Sequence, residues 1–191
     1  LFSKIGCEVE DLGIIEDNLE KTKNLLLKNK KYDLLVTSGG ISKSYTDNVS
    51  KIMTTFGDLL FWRIKIKPGR PFAFGKINDS FFIGFPGNPV AAVVTFLMLA
   101  TSFVKKLSGN ENYKNIPDHL ISDFSMKKKK NRVEWLRGNL INKNKKRILR
   151  KFHTTGSGII SSLSPSKLTF SIVSLTRFSL PINIGTPNPE L

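Results

Sequence analysis

The segment Tyr32–Asp47, YDLLVTSGGISKSYTD, places the tightest limit on what this chain can fold into. Leu34, Leu35 and Val36 form an apolar run without polar alternation, the pattern of a strand covered on both faces in a parallel sheet. Sheets of that kind bind ligands beyond the carboxyl ends of their strands, and Ser38, Gly39 and Gly40 stand at that end. Two glycines in a row permit positive φ and let backbone N–H groups come close to an anion. Taken alone, SGG is better read as a plain tight connection from a strand to a helix, so the rest of the chain must decide.

The neighbouring pattern supports an α/β organisation. Glu8–Ile15 reads as a strand, and Asp17 or Asn18 can cap a helix over Leu19–Lys30. With Asp33–Gly40 as the next strand, this is a strand–helix–strand unit of right-handed crossover, and a parallel sheet is the expectation. Asp47–Thr55 suits a helix that stops near Gly57. Phe61–Lys67, FWRIKIK, alternates with Phe61, Arg63, Lys65 and Lys67 on one side, and ends in the rigid turn Pro68–Pro71. Phe72–Ile77 and Phe81–Phe85 pair as a hairpin across Asn78, Asp79 and Ser80. Pro86, Gly87, Asn88 and Pro89 then lead into an apolar helix, with Asn88 suited to the N-cap and Pro89 to the first turn.

After Gly109 the pattern changes. Asn110–Pro117 is polar and linker-like, and Arg132–Ile141 and Arg147–Phe152 read as short antiparallel strands. The expected division is an α/β domain over residues 1–109, a linker over 110–120 and a small β domain over 121–191, with little regular pattern in Thr169–Leu191.

Composition excludes several classes. Cys7 is the only cysteine, so the chain holds no internal disulfide, and a reducing, cytoplasmic location is the simplest reading. His119 and His153 lie far apart, which removes a Cys/His zinc site. The apolar stretch Val90–Val104 is shorter than the roughly 20 residues that span a bilayer, and reads as a buried helix. The net charge of +15 would suit a polyanionic partner, but the densest runs, Lys127–Lys130 and Lys143 to Lys151, lie past residue 120 in a chain rich in lysine throughout. A solvated basic surface explains them, and no recognisable DNA- or RNA-binding motif accompanies them.

Three loops at strand ends, SGGISKSYTD, IKPGRP and PGNP, gather Arg63, Lys67 and Arg70 with backbone donors and the acids Asp17 and Asp47. Cations with one or two carboxylates are what a phosphate ligand carrying Mg²⁺ requires: the carboxylates hold the metal and the cations the oxygens. Both acids keep two readings, helix cap or metal ligand. Arg63 by itself reads as a solvated strand residue, whereas the place of Lys67 and Arg70 around a Pro-Gly turn points to ligand contact. Each anion cradle is worth only about 0.3–2 kcal/mol. No nucleophile stands beside a base, so acyl-transfer machinery is not visible.

DLLVTSGGIS, FWRIKIKPGRPFAFGK and GFPGNPVAAVVTF, in this order and spacing, together resemble the molybdopterin molybdenumtransferase family, the MoeA proteins and the E domain of gephyrin. CEVEDLGIIEDN and HTTGSGIISSL extend the resemblance to about residues 1–168. It implies a molybdopterin-binding, three-layer α/β fold with a parallel-rich sheet, followed by a small β-barrel-like domain, working as a cytoplasmic homodimer. It also implies a reaction in which adenylylated molybdopterin and molybdate, with Mg²⁺, yield molybdenum cofactor and AMP. At matching motif positions, Asp17 and Asp47 would be the acidic and metal-holding residues and Arg63 and Lys67 the basic pair. Ser38, Gly39, Gly40, Ser42, Arg70, Pro86, Gly87, Asn88, Pro89 and Ser157 would line the substrate site.

The chain departs from that family at Ser44, where glycine is usual, and at Arg70, where lysine is usual. The family's N-terminal half and the first strand of its α/β domain do not appear, and the segment after Leu168 does not resemble the expected final strands. A C-terminal fragment with little catalysis of its own is the expectation. The rival enzyme of the same fold, the molybdopterin adenylyltransferase type, shares SGG- and PGNP-like loops but ends near the helix after them. The other rivals are a non-catalytic basic module that binds nucleic acid, or a scaffold for protein contacts.

Overall fold

The structure, a computed structural model, describes residues 1–28, 32–41, 47–112, 120–127, 129–143, 146–152 and 170–174. Its first sheet is ordered β1-β5-β4-β2, from β1 (Leu34–Ser38), β5 (Ser80–Phe85), β4 (Ala73–Ile77) and β2 (Gly57–Trp62). β1 and β5 run parallel, with Leu34 opposite Phe81 and Ser38 opposite Phe85. β4 and β5 form the expected hairpin, turning at Asn78 with φ 51°, and β2 adds antiparallel to β4 with a register shift between Leu59 and Phe61.

Helices cover both faces. On one side α1 (Leu19–Lys28) and α2 (Asn48–Phe56) close over a core in which Leu26, Ile52 and Met53 meet Leu35, Ile77 and Phe82. On the other lies one long helix, Pro89–Leu107, made of α3 (Pro89–Thr95), a π turn over Phe96–Ala100 and α4 (Thr101–Leu107). Phe96 and Ala100 pack on Phe72, Ile83 and Phe85. Adjacent strand residues thus serve opposite layers, Phe82 one and Ile83 the other, which is why β5 reads as continuously apolar. By length and composition the long helix could cross a bilayer; here it is the core helix of the second layer. Edge-to-face ring contacts, Phe74 with Phe103 and Phe85 with Phe72, reinforce that layer, each by about 0.5–1.5 kcal/mol beyond the area buried.

Three sequence readings are corrected. Glu8–Ile15 is not a strand: no described strand pairs with it, the backbone turns at Gly13 with φ 78°, and Ile14 is fully exposed and Val9 53% exposed. The expected strand–helix–strand crossover from that segment is therefore absent among the described residues. FWRIKIK is not one strand. It breaks at Arg63, which takes φ 62°, and β3 (Ile66–Lys67) leaves the first sheet altogether. Finally, the region after Thr169 contributes β9 (Phe170–Ser174), antiparallel to the strand β7 (Val133–Lys143).

The second sheet is ordered β3-β7-β8-β6, with β9 also on β7; its long strand β7 (Val133–Lys143) pairs antiparallel with β8 (Lys146–Lys151), and β6 (Ile121–Ser122) runs parallel to β8. β3 joins it in parallel, Ile66 opposite Val133 and Lys67 opposite Glu134. Trp135 of β7 is buried against Val90 and Val94 of α3, so the two units meet directly behind the Pro86–Pro89 loop.

Candidate functional site

The carboxyl ends of β1 and β5 lie side by side, and their loops touch. Gly39 and Gly40 adopt φ of 93° and 70°, the left-handed region that the paired glycines foreshadow. The Gly39 N–H donates to the Phe85 carbonyl at 3.1 Å, and a Cβ placed on Gly87 would sit 3.7 Å from the Gly39 Cα. A side chain at Gly40 would meet Val49 Cγ2 at 2.8 Å, so α2 needs that residue bare in order to approach. The SGG and PGNP turns are therefore one surface.

The helix start beside them has the expected chemistry. Asn88 takes extended backbone angles, and its Oδ1 accepts the Ala91 N–H at 3.1 Å, with Pro89 in the first turn. Pro86 is buried, while Gly87 and Pro89 face solvent. The third loop seats on the same helix about two turns further along. Gly69, at φ 99°, lies so close to Thr95 that a Cβ would collide with the threonine methyl. Thr95 is held in place because its single hydroxyl proton is shared between the carbonyls of Ala91 (2.8 Å) and Ala92 (3.0 Å). Lys67 and Arg70 flank this seated turn and are exposed; the Lys67–Pro68 peptide is cis.

Arg63 is not the plain strand residue that alternation suggests. Its guanidinium lies 4.4 Å from the Trp62 ring centroid, a cation–π contact worth about 0.5–1 kcal/mol at an exposed site. The Trp62 indole N–H in turn donates to the Ile41 carbonyl at 2.9 Å. Trp62 was not marked by the sequence reading; an indole donor next to a basic residue at a strand end was the available signal.

The acids resolve differently. Asn18, not Asp17, caps α1, its Oδ1 accepting the Lys21 N–H at 3.0 Å. Asp47 occupies the N-cap of α2, but its carboxylate accepts no cap hydrogen bond. Asp17 Oδ1 accepts from the Asn48 side chain at 2.6 Å, which brings it to the first residue of α2, next to Asp47 in sequence. Both acids thus stand at one helix start. Among the described residues there is no group of three or more His, Cys, Asp or Glu arranged to hold a metal. Two carboxylates at one helix start are the donor type that Mg²⁺ takes, an ion that keeps several waters and draws other ligands from a substrate's phosphates.

Ser38 is exposed at the end of β1. Ser42 and Ser157 lie outside the described residues, as do Ser44, His119 and His153. The second sheet adds Arg137, which burial holds below the usual arginine range and which lies 5.9 Å from the Phe152 ring centroid. Nearby on β7, the buried Glu134 pairs with Arg132 beside the Lys67 register position.

Fold and site together define a three-layer α/β domain with glycine-turn loops at its strand ends and a small β unit docked behind them. Residues 1–106 match the family described as probable molybdopterin binding domain, and residues 120–166 match the MoeA C-terminal region, domain IV. The chain belongs to the MoeA family of molybdopterin-binding proteins. It is 41% identical over 141 residues to a molybdopterin molybdenumtransferase of Haemophilus influenzae, which covers 72% of this chain and 35% of that protein. To gephyrin of Dictyostelium discoideum it is 35% identical over 115 residues, covering 51% of this chain and 16% of the relative. A solved molybdopterin biosynthesis MoeA protein from Pyrococcus horikoshii superposes with a TM-score of 0.52 at 26% identity, over 86% of this chain and 35% of that one. The chain thus spans about a third of the Haemophilus relative and of this solved structure.

Proposed function

We propose that this chain carries the substrate-binding loops of a molybdenum-inserting transferase in molybdenum cofactor biosynthesis, which takes adenylylated molybdopterin and molybdate and releases AMP. The observation that carries the reading is the convergence of the three loops: Gly39 bonded to Phe85, Gly87 against Gly39, and Gly69 seated on Thr95. Both substrates are anions. Their oxygens would be met by the Gly40 and Gly87 N–H groups, since the Gly39 N–H is held by the Phe85 carbonyl, by the start of the long helix, and by Arg63, Lys67 and Arg70.

Asp47 and Asp17 would hold Mg²⁺, which when bound neutralises phosphate oxygens as a Lewis acid. The protein's own groups orient the pterin phosphate and exclude alternative poses. Ser42 and Ser157 complete the substrate contacts in this reading, and a cytoplasmic homodimer is the proposed working form. The second β unit, matched to the MoeA C-terminal region, favours this reading over a molybdopterin adenylyltransferase.

Equilibrium binding of adenylylated molybdopterin at about 0.15 M salt, where weak surface electrostatics are screened, tests it. Saturable binding that falls at least tenfold in Asp47→Ala with an unchanged circular dichroism spectrum is expected. Binding of a DNA oligonucleotide without binding of the pterin would replace the reading with that of a basic nucleic-acid module.

A further inference from the structure

β1 and β2 are opposite edges of the first sheet, separated by β5 and β4, a span of about 14 Å at the usual strand spacing. The chain leaving Gly40 nevertheless meets β2. Ile41 is 1% exposed and packs over β5, where a Cβ on Gly84 would lie 3.0 Å from its Cγ2. Its carbonyl then receives the Trp62 indole N–H at 2.9 Å. The same indole carries the Arg63 guanidinium on its ring, and Arg63 itself is turned by its φ of 62° out of the strand path.

We infer that Trp62 is a positioning residue that makes one rigid unit of the Gly39–Gly40 anion cradle and the Arg63 cation, through its N–H to Ile41 on one side and its ring face on the other. Neither half works by itself: the glycines accept many backbone angles, and an exposed arginine side chain samples many rotamers. Tied to one indole, the Gly40 N–H, with the Gly39 N–H locking the turn onto Phe85, and the guanidinium present a fixed spacing to a single phosphate-bearing ligand. Selectivity for a pterin phosphate over a loose polyanion would follow from that fixed spacing.

Two substitutions separate the halves. Trp62→Phe keeps a ring under Arg63 and deletes the donor to Ile41; Trp62→Leu deletes both. Without any ligand, amide hydrogen exchange at Gly39, whose N–H is bonded to Phe85, should quicken roughly tenfold in Trp62→Phe, the equivalent of one net hydrogen bond, while β4 and β5 amides keep their protection. Unchanged Gly39 exchange would overturn the tether. With adenylylated molybdopterin as probe, Trp62→Leu should bind several-fold more weakly than Trp62→Phe, and that difference should vanish when Arg63→Gln is added to both. A merely structural tryptophan would leave the difference intact in the Arg63→Gln background, and that result would overturn the coupling to Arg63. The binding arm rests on the function proposed above and the exchange arm does not. A chain that binds no pterin yet shows faster Gly39 exchange in Trp62→Phe would therefore refute that function and still support the tether.

Discussion

Gly69→Ala should damage this protein more than any ordinary loop substitution, and the reason is local and measurable. Gly69 has φ 99°, and its missing Cβ is the space into which the Thr95 methyl projects. An alanine there bears backbone strain of about 1–3 kcal/mol. It must also push against a side chain that is 0% exposed and anchored by a hydroxyl proton shared between two carbonyls, an overpacking cost of about 1–3 kcal/mol. The expected loss is about 3–5 kcal/mol, a large part of a typical total of about 5–15 kcal/mol. For a chain of this size it corresponds to a fall in Tm on the order of 10 °C. Gly109→Ala is the control: φ is 77°, but nothing lies within 4 Å of the added carbon, so strain alone acts, about 1–2 kcal/mol. Equilibrium urea unfolding of the three proteins gives the comparison directly. Adding Thr95→Ser, which keeps the hydroxyl and removes the methyl, should recover the steric share in the Gly69→Ala background. Equal losses for Gly69→Ala and Gly109→Ala would show that the Pro68–Arg70 turn is not seated on the helix as described.

Three further outcomes follow from single contacts. Asn88→Ala removes the acceptor for the Ala91 N–H and should cost about 1 kcal/mol by urea unfolding, with the β1–β5 pairing unaffected in hydrogen exchange. Arg132→Ala strands the carboxylate of Glu134, which is 4% exposed, and should cost about 3 kcal/mol. Asp123→Ala breaks the more open pair with Arg150 and should cost less than about 1 kcal/mol. Comparable losses for these two variants would mean that burial does not set the worth of ion pairs here.

Local features were legible because side-chain pattern and backbone preference act over a few residues. The apolar run Leu34–Val36 before two glycines, the N-cap Asn88 with Pro89, and the turn at Asn78 each appear where their chemistry places them. The candidate site was legible in the same way, as three loops at strand ends, although no spacing rule shows that Gly87 rests against Gly39 or Gly69 against Thr95. The errors share one cause. A strand exists only if another backbone completes its hydrogen bonds, and alternation does not say which backbone that is. Glu8–Ile15 has the pattern and no described partner, while Phe170–Ser174 has a weak pattern and a partner in β7. The FWRIKIK alternation spans two sheets, with Arg63 at the break.

The amino-acid order by itself determined the family motifs, the glycine turns, the helix start at Asn88 and the cations around Pro68. The tertiary structure alone decided that Ile66 and Lys67 join the second sheet, that Asp17 reaches the start of α2 through Asn48, and that Trp62 ties Ile41 and Arg63 together. Each of these depends on groups distant in sequence being brought within hydrogen-bond or van der Waals reach, a condition met only once both faces of the first sheet have been packed.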